Sequence, residues 1–420
     1  MTTLGGVGGV GGVGGVGGVG GVGGVGGVGS SSDILGDAEA TTTGLITHRD
    51  GICGTWSGPE FEICAEEDQY LANTNGQREY HLDDNGQLWR WDDWVRANVF
   101  DFDLVSNLAF TFSPRLEGGV ALWDRGFTIG PNQDVPQFDA PQLIVEMYRP
   151  TKKIFRDQLG FMDRYSDLRG ERANETLLQM GPQVQFWSTI LHLSPQRTPK
   201  TLELLSTAVR FAIAVEMRFK HALACSRAID YSPQVQPMIP TPGHGSLPSG
   251  HSTQAYIIAG VMLDFFRELR NTSLPVPPNG PPSDALSTQL FAQARRVALN
   301  RTIAGVHFPV DTAAGHLLGT TLAEYFVHRC KLADRGTFVP RVFKGDDFDG
   351  KQDFDDQEPL AWATAFPGAT PQDPPQTVTG YPHIRLGKPK STREGSKILA
   401  WLWTQAKNEW NGNSLRANRV

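Results

Sequence analysis

"LPSGHSTQAYIIAGVMLDFF", residues 247–266, joins two patterns: apolar residues at helical spacing and, just ahead of them, a proline, a small hydroxyl, a glycine and a titratable ring. Pro248 suits a turn. Ser249 and Gly250 would then present a hydroxyl and bare backbone amides at the start of a helix, the arrangement by which helix N-termini hold oxyanions, with His251 beside the anion. Taken alone, the stretch reads as an ordinary N-cap at Ser249 followed by a surface histidine. It needs partners before it means chemistry.

Two other segments offer them. Upstream, in "MRFKHALACSRA", Lys220 and Arg227 stand seven apart, which on one continuous helix projects both from nearly one face. The residues between them include Ala222, Leu223, Ala224 and Cys225, so the helix reads as buried, and buried cations require a counter-anion. Downstream, in "LNRTIAGVHFPVDTAAGH", Arg301 and His307 would reach the same pocket from the end of a helix. Asp311, four residues past His307, would accept the ring's other proton. A core histidine satisfied by a neighbouring carboxylate accounts for His307 and Asp311 alone, but not for all three segments.

The rest of the chain sets the frame. Its 420 residues carry a formal net charge of -7, and the pI is about 5.8. Without a basic excess nucleic acid is a poor partner, and any anion chemistry must come from a local cluster. The best apolar run, "LLSTAVRFAIAVEM", is broken by Arg210 and Glu216, so no membrane span is expected. Residues 1–32 form a Gly-Gly-Val repeat tail, expected to be disordered. The tail has neither the basic residues nor the compact apolar core of a secretory signal, so the compartment stays open: cytoplasmic, or exported by a non-standard route. Residues 33–89 read as an irregular segment, in which Cys53 and Cys64 are close enough for a local disulfide, although free thiols are the plainer reading.

From 90 to 332 helical spacing dominates, including "QLIVEMYRPTKKIFRDQL" and "TPKTLELLSTAVRFAIAVEMRFKHALAC", and resumes at 251–270, 286–308 and 311–332. A proline-rich loop at 271–284 interrupts it. Residues 333–420 read as a loop-rich extension with a solvated acidic run, "KGDDFDGKQDFDDQEP", and a final helix near 392–409. The expected fold is all-α, a single helical bundle. "WRWDDW", 89–94, reads as packing with a polar rim.

Ordered as Lys220 and Arg227, then Pro248, Ser249, Gly250 and His251, then Arg301, His307 and Asp311, the three segments resemble the vanadium-dependent haloperoxidases and the PAP2 phosphatase superfamily that contains them. The resemblance covers about 220 to 311. Two positions depart from it: Ala228 stands where the family usually has proline, and Asn300 replaces the serine before the second arginine.

The resemblance implies a helical bundle of the haloperoxidase and acid phosphatase type. In a haloperoxidase, His307 would ligate the vanadium of a vanadate cofactor, whose oxygens Lys220, Arg227, Arg301, Ser249 and the Gly250 amide would neutralise. His251 would assist deprotonation of hydrogen peroxide, and Lys220 would polarise the bound peroxide for attack by halide. The products would be hypohalous acid and a halogenated small organic acceptor. His244, seven residues before His251, stands where family bromoperoxidases similarly show histidine, which suggests bromide or iodide; a solvated turn residue is the other reading. In a phosphatase, His307 would be the nucleophile, Asp311 would orient it and His251 would protonate the leaving oxygen. Vanadate and phosphate are both tetrahedral oxyanions, so the site residues leave these two activities open, together with an oxyanion-binding module without turnover. The family also implies a possible homodimer.

Overall fold

The computed structural model describes residues 88–410, apart from 113–117, 130–135, 271–284, 333–336, 362–364, 367, 371–373 and 392–394. The glycine tail, nearly all of the irregular segment with Cys53 and Cys64, and the proline-rich loop lie outside the described residues. Eight helices longer than one or two turns organise these residues: α1 (Asp93–Ser106), α2 (Lys152–Ser166), α3 (Arg169–Leu178), α4 (Pro199–Leu223), α5 (Gly250–Leu269), α6 (Ala285–Ile303), α7 (Pro309–Arg329) and α8 (Lys397–Trp410). No helix among the described residues is long and apolar enough to cross a membrane.

The architecture is helical but not all-α. A six-stranded mixed sheet is built from β1 (Leu108–Phe112), β2 (Gly119–Asp124), β3 (Gln142–Tyr148), β4 (Arg341–Lys344), β5 (Gln376–Val378) and β6 (Tyr381–Leu386), in the order β1-β2-β3-β4-β6-β5. Neighbours pair antiparallel except β3 and β4, which run parallel with Val145 opposite Arg341 and Tyr148 opposite Lys344.

The expected helix over "QLIVEMYRPTKKIFRDQL" is therefore a strand followed by a helix. Ile144, Val145, Met147 and Tyr148 are all buried, so β3 lacks the alternation that marks a half-exposed strand. Pro150 lacks an amide hydrogen and disfavours helical backbone at Arg149, and the helix restarts only after Thr151, whose Oγ1 accepts from the Ile154 amide at 3.4 Å. The acidic run is a solvated face at Asp346, Asp347 and Asp349, which are exposed, but not at the acids beyond them. Asp353 accepts from the Tyr165 hydroxyl at 2.7 Å, Asp356 pairs with Arg295 at 3.3 Å, and buried Glu358 lies 2.8 Å from His383.

α5 sits against α4, α6 and α7. Ile257, Ile258, Val261, Met262 and Phe265 are buried along it. Burying such a side chain stabilises by about 1.5–3 kcal/mol, so the apolar length of the helix anchors its polar first turn. α7 crosses closely: a Cβ on Gly315 would meet the Ser249 carbonyl oxygen at 2.6 Å, and one on Gly319 would meet the Thr253 carbonyl oxygen at 2.4 Å. These two glycines let the start of α7 lie on the start of α5, where Ser249 donates its amide to the Asp311 carbonyl at 2.8 Å.

Candidate oxyanion site

Three junctions converge at the N-terminus of α5. The first is the end of α4. Lys220 is buried in its last turn, and its Nζ donates to the carbonyl oxygens of Gly245 at 3.3 Å, Ser246 at 3.1 Å and Pro248. Burial, reinforced by Arg227, pulls the Lys220 ammonium below its ordinary pKa. Arg227 does not share this helix. α4 ends at Leu223, Ala224 takes a left-handed conformation (φ 46°), and Arg227 precedes a short helix, Ala228–Tyr231. The two cations meet through this turn and not through helical spacing. Ala228, in place of the family proline, is fully buried as that short helix opens.

Arg227 donates from Nε to the His244 carbonyl at 3.0 Å, and from NH1 to the Val306 carbonyl at 2.9 Å and to His307 Nε2 at 3.0 Å. An arginine only donates, so His307 Nε2 is the acceptor and Nδ1 carries the proton. Nδ1 lies 3.1 Å from Asp311 Oδ2, which also accepts from the Phe308 amide at 3.0 Å and from the Ser246 hydroxyl. Burial, with Arg227 and Lys220 nearby, holds His307 well below the usual imidazole pKa. The result is a neutral ring with its tautomer fixed and a lone pair on Nε2.

The second junction is the start of α5. Ser249 is the N-cap, its hydroxyl accepting from the Ser252 amide at 3.4 Å. Gly250 and His251 occupy the first two helical positions, whose amides have no acceptor within a helix. His251 Nε2 lies 2.8 Å from the Gln179 carbonyl and 3.3 Å from Arg301 NH1. The carbonyl calls for a proton on Nε2, and the guanidinium for a lone pair there. Burial and the Arg301 charge hold His251 well below the ordinary pKa.

The third junction lies between α6 and α7. Arg301, 1% exposed, donates from NH2 to Gln179 Oε1 at 2.8 Å and to the Thr176 carbonyl at 3.2 Å. Its Nε has no acceptor among the described residues. Burial lowers the guanidinium to about 10. His244 is half-buried, with Nδ1 3.1 Å from Arg227 NH2, and burial with Lys220 and Arg227 pulls it down to about 4. The tryptophans of "WRWDDW" stand apart in role: the Trp91 carbonyl binds Arg96, which pairs with Glu203 on α4 at 2.6 Å.

Several participants carry no mark in the sequence. Gln179, just past α3, binds both Arg301 and Asn300, the latter at 3.1 Å, so Asn300 braces the wall behind Arg301. Ser246 donates to Asp311. Glu216, one turn before Lys220, is buried against Gly250, where an added Cβ would meet Glu216 Oε1 at 2.6 Å. Its only sequence signal is an acid within the apolar run 211–219.

The site thus gathers three buried cations around two neutral imidazoles and a helix N-terminus. Residues 204–333 match the PAP2 superfamily model. All of Lys220, Arg227, Ser249, Gly250, His251, Arg301, His307 and Asp311 fall inside that stretch. No curated protein matches the chain.

Proposed function

We propose that the protein is a vanadium-dependent haloperoxidase acting on bromide or iodide. The observation that carries this reading is the neutral His307, its Nε2 lone pair held by Arg227 within a cationic cradle whose buried Arg301 Nε lacks an acceptor among the described residues. An unsatisfied buried guanidinium hydrogen calls for an anion. The donor set fits vanadate: His307 Nε2 as ligand to the metal, with Lys220, Arg227, Arg301, the Ser249 hydroxyl and the Gly250 amide on its oxygens. Bound vanadate would supply a Lewis-acidic centre that activates hydrogen peroxide, so that halide, peroxide and a proton become hypohalous acid and water.

The chain's own residues do the rest. Asp311 holds the His307 proton on Nδ1 and keeps Nε2 basic. Lys220 and the two arginines offset the oxyanion charge in a site little screened by solvent. His251, kept neutral beside Arg301, would take a peroxide proton on its ring. The paired Asp311 and His307 would equally orient a nucleophilic imidazole, which keeps phosphomonoester hydrolysis as the second reading.

The test uses the purified full-length protein, stripped of oxyanion and assayed with and without vanadate for peroxide-dependent bromination and iodination and for phosphomonoester hydrolysis. Halogenation that requires vanadate and disappears in His307→Ala is the expected result. Phosphate release that vanadate inhibits would replace this reading with the phosphatase.

A further inference from the structure

Glu216 has no part in the chemistry above, yet its carboxyl is built into the same corner. It is 3% exposed, one turn before Lys220 on α4, and sits against the α-carbon of Gly250, the first residue of α5. Oε1 accepts from Gln254 Nε2 at 3.0 Å, and Gln254 Oε1 in turn accepts from Gln183 Nε2 at 2.9 Å. This amide chain fixes one carboxyl oxygen and leaves the other, Oε2, buried without a partner among the described residues. A carboxyl beside a cationic anion cradle weakens anion binding unless it does something specific there. Burial alone raises the carboxyl's pKa, and Lys220 opposes that rise.

We infer that Glu216 is a specificity-determining residue that selects tetrahedral oxyanions bearing a proton over those bearing none. The inference rests on the oxyanion-site reading. At pH 8, above the raised pKa of the buried carboxyl, hydrogenphosphate and hydrogenvanadate carry a hydroxyl, which donates to the open Oε2 of the carboxylate. Sulfate has no proton to give, so its oxygen meets the carboxylate lone pair directly. The three cations attract both classes alike, and the single acceptor separates them.

The test is calorimetric titration of the full chain at pH 8 with inorganic phosphate and, separately, sulfate, for wild type and Glu216→Gln. Wild type should bind phosphate and take up sulfate weakly. In Glu216→Gln the Gln254 contact persists while an amide replaces the lone pair, so the sulfate-to-phosphate affinity ratio should rise about tenfold or more, the equivalent of one charge-assisted hydrogen bond. An unchanged ratio in a variant that melts like wild type overturns the role of Glu216 and leaves the oxyanion site standing. Should Glu216→Gln misfold, Gln254→Leu, which frees the carboxyl from its tether, is expected to change the ratio instead, and an unchanged ratio there counts against the inference. Wild type that binds neither ion refutes the site itself.

Discussion

Arg301→Lys isolates one donor of the proposed cradle. In the folded protein the guanidinium uses NH2 to bind Gln179 and Thr176, while its buried Nε has no acceptor among the described residues. Lysine keeps the charge but not the fork: a single ammonium cannot hold Gln179 and also address an oxyanion from a second edge. The loss is one charge-assisted hydrogen bond, worth about 1.5–3 kcal/mol, or about 10- to 150-fold in affinity. Calorimetric titration with inorganic vanadate and phosphate measures it. Because Arg301 is buried, the loss should persist in 0.5 M salt, where exposed charge effects fade. Arg296, on the same helix but 46% exposed and paired with Glu175 at 2.7 Å, provides the control, and its lysine variant should bind within twofold of wild type. Binding by Arg301→Lys within threefold of wild type at both salt concentrations would refute the assignment of Nε to the oxyanion.

Other expectations follow from the same contacts. Ser246→Ala removes one of three donors to Asp311 and should cost about 1–2 kcal/mol in urea unfolding, with a larger fall in kcat than in peroxide affinity; equal stability would show that the hydroxyl is idle. Gly319→Ala drives a Cβ toward the Thr253 carbonyl and should destabilise by about 1–3 kcal/mol, read as a lowered Tm, because the start of α5 and α7 must separate. His244 stays neutral in the folded protein down to about 4 but takes up a proton near 6.5 when unfolded, so it penalises folding increasingly as pH falls through that window. His244→Gln should therefore gain on wild type in stability between pH 7 and pH 5, and a constant difference in urea midpoints would contradict the depressed value.

What the sequence disclosed was mostly local. The four-residue step from His307 to Asp311 spans the start of α7 and became a direct contact, and the proline, hydroxyl and glycine before α5 mark its N-cap. Lys220 and Arg227 share a cluster as expected, but by a different route, since the left-handed Ala224 ends the helix between them. Long-range partners were silent. Gln179 reaches His251 from 72 residues away, and a glutamine at the end of a polar helix announces nothing. The sheet was hidden for a related reason. β3 is buried on both faces and so shows no alternation, while its neighbour β4 is a four-residue strand that reads as loop until its partner is known.

The parallel pairing of β3 with β4 also sets an order of events. Parallel strands need a crossover, and here the crossover is the entire run from α2 to α7, with every candidate site residue inside it. On a ribosome, the α4, α5 and α7 junctions emerge before residues 341–344 exist to close the sheet. Any assembly of the site before then rests on helix packing alone, and closure of the sheet is a contact of high sequence separation. Truncation before residue 341 would leave β3 with an open edge, and such a chain should aggregate through that edge while its helices still form.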